Sequence, residues 1–379
     1  MIKLKSLLLK DSRVIIAEGK LSMAVPSDIR SIHTLFKQNG YKLYVVGGAV
    51  RDAILGKSPK DFDLATDAKP DKVLDIARNG GYKTAEVGKS FGVVIVGGHE
   101  IATFRKDIGK GRRPTAVDYT DIKGDVMRRD LTINALFYDL DKKEIVDLVG
   151  GIKDLKKKRI RTVGKPDERF DEDPLRKLRA IRFAGSVGGR MDDSTYKAIK
   201  HNPSLKGVSA ERIRDEFVKG LKKAQSPKKY LQLSREIGLL PLILPGFNVM
   251  TRFANTNDYI VQLANMLRVE RLSLNRVQKG LKALKYQNQE IRDVVHLLKM
   301  YNFTPTDIYI LKTEQKNTKL TAKQVKEWSQ ITGMGSAMMK IWNFKLSVKA
   351  KDVMKLGFKG KDIGDKMKEL ETNKFLGRK

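Results

Sequence analysis

The sequence predicts an α+β chain, a small mixed-sheet head followed by an all-α remainder. Three observations carry this. In the first 150 residues, short β-branched and aromatic runs alternate with helical-period segments and are cut by paired glycines. From about residue 152, strand signals become scarce and apolar residues recur at three and four. Charge divides at the same place: residues 1–150 hold 26 Lys+Arg against 20 Asp+Glu, and residues 151–379 hold 50 against 24. The pattern divides the chain at about residue 152, a mixed-sheet part over 1–152 and a helical part over 153–379.

Residues 1–26 have no clear chemistry, though Lys3 to Lys20 has the pattern of a short hairpin. Ile29, Ile32, Leu35 and Phe36 mark a helix that Asn39-Gly40 ends. Tyr41 to Val46 is a strand running into Gly47-Gly48, and a helix over Arg51 to Leu55 follows. Phe62 to Ala65 is the next strand, and Asp71 to Asn79 a helix stopped by Gly80-Gly81. Phe91–Val96 and Glu100–Arg105 form a hairpin around Gly97-Gly98. Residues 106–116 have the composition of a loop. A helix is expected from Asp130 to Phe137, then a hairpin from Tyr138 to Leu148. The later helices expected are 171–185, 194–201, 209–224, 227–237, 257–268, 273–285, 288–301, 321–333 and 335–342.

Composition removes several function classes. The chain has 379 residues and no cysteine, so disulfide partners and thiolate metal sites are excluded. Its four histidines form no HxxxH or His-Asp pair, which argues against zinc chemistry. No apolar run approaches the ~18 residues that span a bilayer. Leu7-Leu8-Leu9 is cut off by Lys10-Asp11 and does not read as a signal peptide, so a cytoplasmic location is the default. The net charge of +32, concentrated in the C-terminal two-thirds, favours a polyanionic partner over a merely solvated surface.

Two constellations carry chemistry. Gly47-Gly48 after a strand lets the backbone approach an anion, and Arg51 in the first turn of the next helix suits a phosphate. The same residues also fit an ordinary strand-to-helix turn. Asp61-x-Asp63 places two carboxylates on one face of an extended segment. Such a pair repels unless a cation lies between, and its oxygens suit Mg²⁺ bridging triphosphate oxygens. Glu100, opening the strand EIATFR, is the candidate third carboxylate. The alternative is an exposed turn with two solvated aspartates.

GGAVRD followed by DFDLATDA resembles the signature of the class II tRNA CCA-adding enzymes and the bacterial poly(A) polymerases. Three further motifs follow in the family's order. Arg128-Arg129-Asp130-Leu131-Thr132-Ile133-Asn134-Ala135 is similar to its RRDFTINA segment, and Gly150 to Leu155 to the turn entering the neck. Glu172-Asp173-Pro174-Leu175-Arg176 with Arg179 to Phe183 is similar to its EDxxRxxRAxRF helix. Residues 351–357 and 359–364 resemble its tail. The resemblance implies a polymerase-β-like nucleotidyltransferase head, with Asp61 and Asp63 catalytic and metal-binding. It also implies that Gly48, Arg51, Arg129, Asp173, Arg176, Arg179 and Arg182 bind nucleotide.

In that family the aspartate matching Asp173 accepts a hydrogen bond from the base amino group, and the arginine matching Arg176 donates to the ring nitrogen. Cytosine and adenine share this amino-beside-acceptor edge, whereas guanine and uracil reverse it. Arg179 and Arg182 support the base site or contact phosphates, and Asn134 orders the local network. Read alone, the same helix is an ordinary salt-bridged surface helix. The loop 105–119, with Arg112 and Arg113, resembles that of enzymes adding the final A. The implied activity is untemplated addition of C, C and A to the tRNA 3′ end from CTP and ATP by two-metal phosphoryl transfer. Poly(A) addition, partial CC or A addition, and a non-catalytic RNA-binding role are the alternatives.

Overall fold

The computed structural model describes residues 16–17, 20–21, 23–109, 116–248, 252–268 and 273–378. The described part packs as two compact units that meet in sequence at Val208 and Ser209. Most of the hairpin expected over Lys3–Lys20 lies outside the described residues, as do Arg112 and Arg113.

The first unit is built on a mixed sheet. Its elements in chain order are β1 (Ile16–Ala17), β2 (Lys20–Leu21), α1 (Ser27–Gln38), β3 (Leu43–Val46), α2 (Gly48–Ile54), β4 (Asp63–Thr66) and α3 (Pro70–Asn79). There follow β5 (Thr84–Gly88), β6 (Val93–Val96), β7 (His99–Thr103), β8 (Arg105–Ile108), β9 (Ala116–Tyr119), α4 (Ile122–Met127), β10 (Phe137–Asp139) and β11 (Glu144–Val146). Among the described residues the sheet runs β1-β2-β11-β10-β3-β4-β7-β6-β5, with β4 parallel to β7 and the other pairs antiparallel. Strands β8 and β9 pair separately, so the expected loop is a two-stranded ribbon at its base.

Strand alternation decides which face carries chemistry. Val45 and Leu64 pair on one face, where α1 and α3 cover the sheet. Tyr44 and Val46 face the other way and pair with Ala65 and Asp63. On that second face Tyr44, Phe104 and Phe137 form a ring cluster with centroids 5.9–6.2 Å apart. Val126, Ala135 and Val163 complete this buried floor. Asp63 thus emerges at the end of a strand whose next positions are packed into an aromatic core.

The remainder of the first unit comprises α5 (Gly151–Lys156), β12 (Arg159–Ile160), α6 (Pro166–Glu172), α7 (Leu175–Val187), β13 (Arg190–Met191) and α8 (Asp193–His201). Two expectations change here. The segment expected as a helix over Asp130–Phe137 is a single 3-10 turn, Thr132–Asn134, feeding β10. Leu131 is extended and bridges Thr162, and Thr132 N–H donates to Arg161 O at 2.9 Å. These pairings hold the chain open where a helix would have satisfied the same groups internally. The helix expected over 171–185 is broken at Asp173, whose φ/ψ of −145/101 is extended. The residue before a proline is driven out of the helical region, and Pro174 supplies that constraint.

The second unit is helical throughout its described residues. Its helices are α9 (Ala210–Lys223), α10 (Pro227–Glu236), α11 (Leu240–Ile243), α12 (Tyr259–Leu267), α13 (Leu274–Ala283) and α14 (Asn288–Tyr301). The chain continues through α15 (Ile308–Gln315), α16 (Ala322–Thr332), α17 (Gly335–Asn343), α18 (Ala350–Met354) and α19 (Lys361–Leu376). Fully buried Trp328 anchors the middle, with its Nε1 donating to Leu297 O at 3.0 Å. No helix among the described residues is long and apolar enough to cross a membrane.

Candidate active site

The acidic pair lies where β4 begins. Asp63 is the first residue of the strand, paired with Val46, while Asp61 is two residues upstream, before the strand. Both are exposed. Crowding by protein on one side raises the Asp63 carboxyl above its ordinary value, the Arg129 guanidinium opposes this, and the negative Asp61 adds to it. Two neighbouring carboxylates whose charges cost each other energy are a fit for a divalent cation. Mg²⁺ in particular takes one or two carboxylates and completes its shell from phosphates and water. Glu100 is the second residue of the adjacent parallel strand β7, one position before the Leu64–Ile101 pair. Among the described residues no group of three His, Asp or Glu side chains is arranged to hold a metal ion.

The glycine turn follows from the strand above the pair. Gly47, with φ +68, passes directly from β3 into α2, and Gly48 is the first helical residue. A Cβ on Gly47 would meet Arg129 Nη1 at 3.4 Å and Asn134 O at 3.6 Å, ordinary contact distances, so it is the positive φ that disfavours a side chain here. The turn brings the backbone within reach of the arginines that face the acidic pair.

Arg51 and Arg129 are both held in place. Arg51 grips Asp52 Oδ1 through Nε and Nη2 at 3.0 and 2.8 Å, and donates from Nη1 to Asn134 Oδ1 at 2.6 Å. Arg129 donates to Asp125 Oδ2 from Nε and Nη2 at 3.2 and 3.0 Å, and to Asn134 O at 3.2 Å. Its guanidinium lies 4.6 Å from the centroid of Phe137, on the aromatic face that Asp63 shares. Burial lowers the Arg129 pKa and Asp125 counters it. For Asp125, burial raises the carboxyl, but Arg129 and Arg128 together bring it below its ordinary value.

The α6–α7 junction holds the remaining residues. Asp173 ends α6 and stands just before the Pro174 cap of α7, its Oδ1 accepting from Leu175 N–H at 3.2 Å. Asp173 lies outside the helix that carries Arg176, and the Arg176 N–H donates to the Asp173 carbonyl at 3.0 Å. Arg176 donates to Glu172 Oε2 at 2.6 Å and to the carbonyls of Arg169 and Arg128 at 3.3 and 2.9 Å. These bonds fix its plane and tie it to the Arg128–Arg129 segment. Arg179 Nε donates to Asp130 Oδ2 at 2.6 Å. Arg182 is 8% exposed and lies 4.0 Å from the Phe183 ring, which Arg51 and Arg179 also face at 4.9 and 5.7 Å.

Three residues outside the sequence-derived set prove central. Asp130 accepts from Asn134 Nδ2 at 3.3 Å and from Arg179, so Arg51, Asn134, Asp130 and Arg179 form one chain of hydrogen bonds from the glycine turn to α7. Asp125 holds Arg129 at the i,i+4 spacing that favours such a pair, which was the available signal. Phe183 is the shared floor for three guanidinium groups, and nothing in its sequence position distinguishes it from a core phenylalanine.

Comparison with known proteins shows the family of the chain. Residues 43–161 match the poly A polymerase head domain, and residues 190–250 match the probable RNA- and SrmB-binding site of polymerase A. A CCA-adding enzyme of Bacillus pumilus is 45% identical over 50% of this chain, which spans 48% of that protein. A CCA-adding enzyme of Ligilactobacillus salivarius is 32% identical over 90% of both chains. The crystal structure of the Bacillus stearothermophilus CCA-adding enzyme in complex with CTP superposes with a TM-score of 0.69 at 26% identity, covering 93% of this chain and 94% of that one. The chain belongs to the CCA-adding enzyme family.

Proposed function

We propose that the chain adds C, C and A to the 3′ end of tRNA from CTP and ATP, without a nucleic-acid template. The observation that carries this reading is Asp63, beside Asp61 and within the field of Arg129, with Arg129 connected through Asn134 and Asp130 to Arg179 of α7. The chemistry places the tRNA 3′ oxygen in line with the nucleotide α-phosphorus. The new P–O bond forms as the bond to pyrophosphate breaks, and the hydroxyl proton leaves with the attack. Asp61 and Asp63 would hold Mg²⁺, which supplies charge neutralisation at the phosphates and a lower pKa at the attacking hydroxyl.

The other roles follow from chemistry and position. Arg51, Arg129 and the Gly48 turn cradle the triphosphate. Asp173 and Arg176 read the amino-beside-acceptor edge common to cytosine and adenine, while Arg179 and Arg182 brace that surface. The head (1–152) performs transfer, the neck (153–220) selects the base, and the basic body and tail (221–379) hold tRNA by backbone charge and shape. The reading places the protein in the cytoplasm with its RNA substrate.

Incubation with tRNA transcripts ending before the first C, after CC and after CCA, each with single NTPs, tests the proposal. Two C additions, one A addition and no extension of the finished end are expected. Long A tails with little use of CTP would instead establish poly(A) addition, and no turnover with Mg²⁺ would leave a binding protein.

A further inference from the structure

Arg169 stands on α6, on the far side of the Asp173-Pro174 break from Arg176. Pro166 opens that helix, and Phe170, 2% exposed, anchors it in the core, so the fold sets the position of Arg169. The Arg169 guanidinium works through its two Nη groups. Nη1 donates to Met127 O at 2.7 Å, and Nη2 pairs with Glu172 Oε1. Glu172 Oε2 in turn accepts from Arg176 Nη1 at 2.6 Å, so one carboxylate forks between two arginines. Arg176 Nη2 donates to Arg128 O at 2.9 Å, and the two arginines thus bond neighbouring carbonyls, Met127 and Arg128. Arg176 Nη1 also donates to Arg169 O at 3.3 Å, which ties the two residues a second time.

These bonds make a ladder between the α6–α7 junction and the segment that carries Arg129. The carbonyls of Met127 and Arg128 form its rungs, while the side chains of Arg128 and Arg129 grip Asp125. A guanidinium is planar, and its fork of fixed donors transmits orientation where a point charge would not. Three Arg176 N–H groups are spent on the ladder, and the rest remain for a base edge. Where they point is decided by Glu172 and the two carbonyls, and Glu172 is itself held by Arg169. The Arg169 Nε is buried with no hydrogen-bond partner among the described residues. A buried donor left unpaired costs free energy that an apolar side chain would avoid, so the Nη contacts are what an arginine contributes at this position.

We propose that Arg169 is a positioning residue for base choice, which holds Glu172 and, through it, the plane of Arg176. The inference rests on the functional reading above, in which Arg176 meets the base. In this role Arg169 acts on the nucleotide only through Arg176. Its loss leaves the reading group present but free to turn, so discrimination falls before turnover does.

The test compares the full native chain with Arg169→Ala, Arg169→Lys, Arg176→Ala, the double variant of Arg169→Ala with Arg176→Ala, and the control Glu168→Ala, an exposed position on the same helix. The readout is the ratio of kcat/KM for CTP to that for UTP on a transcript ending before the first C. Arg169→Ala is expected to lower that ratio about tenfold, with KM for CTP rising more than kcat falls. Arg169→Lys keeps a charge beside Glu172 but cannot hold carbonyl and carboxylate in one plane, and its ratio should lie between the native and alanine values. The double variant should discriminate no worse than Arg176→Ala alone, because the two residues act as one unit. Glu168→Ala should match the native ratio. A merely structural Arg169 would lower CTP and UTP use equally. An unchanged ratio in the Arg169 variants, or losses that multiply in the double variant, would therefore overturn the role. If thermal melting shows that the alanine variant does not fold, the lysine variant decides by the same ratio. A native chain that incorporates CMP no better than UMP would refute the functional reading instead.

Discussion

Arg179 Nε donates to Asp130 Oδ2 at 2.6 Å across 49 residues of sequence, joining α7 to the Arg-Arg-Asp segment that faces the acidic pair. Asp130 is 8% exposed and also accepts from Leu131 N–H and Asn134 Nδ2, so its charge is fully engaged. Burial raises its carboxyl, but the charge and hydrogen bond of Arg179, with help from Asn134 and Leu131, bring it down to about 2 from an ordinary 3.8. A carboxyl depressed on folding stabilises the fold above its unfolded pKa, and that stability is lost as pH falls through the folded value.

Asp130→Asn should therefore cost stability at neutral pH and little in acid. The gap between 3.8 and about 2 corresponds to ~2 kcal/mol at pH 7, decaying between roughly pH 4 and pH 2. Urea unfolding of native and variant chains at pH 7 and at pH 2 measures it. A difference that is the same at both values would remove the charge argument.

Gly47→Ala tests the strained turn. At φ +68 an alanine costs ~1–2 kcal/mol of backbone strain. Its methyl would touch Arg129 Nη1 and Asn134 O at ordinary contact distances of 3.4 and 3.6 Å, so the backbone strain is what the variant reads. The melting temperature should fall by several degrees, and KM for CTP should rise more than kcat falls. A variant as stable and as active as the native chain would show that the turn has room to relax.

Asp173→Ala and Arg176→Ala should each loosen the choice among the four nucleotides. The measured quantity is the ratio of kcat/KM for CTP to that for UTP on a transcript ending before the first C. Losing one hydrogen bond of a paired readout should reduce that ratio by at least tenfold. Retained discrimination would assign base choice to other residues. Arg176 also ties Glu172 to the carbonyl of Arg128, so its variant should lose more stability than that of Asp173.

Much of this was legible beforehand, and the failures have a common cause. Strands with alternating apolar positions and helices with clear caps announced themselves, as with α14, whose predicted limits 288–301 match the structure. Ile133, Ala135, Leu136 and Phe137 are all buried, and a continuous apolar run does not reveal its own period. That is why a helix was expected where the chain makes a 3-10 turn and a strand. At the active site the sequence supplied residue types and order, but not partners. Asp130, Asp125 and Phe183 act by holding arginines that come from elsewhere in the chain, and pairings of that kind are set only by the fold.

The most direct test of the account is single-turnover incorporation by Asp61→Ala beside its affinity for tRNA. The aspartate is exposed, so the fold should survive its loss. The predicted result is a drop in CMP incorporation of at least about a thousandfold, with the Kd for tRNA within about twofold of the native chain. Incorporation at the native rate would contradict the assignment of Asp61 and Asp63 as the reaction centre.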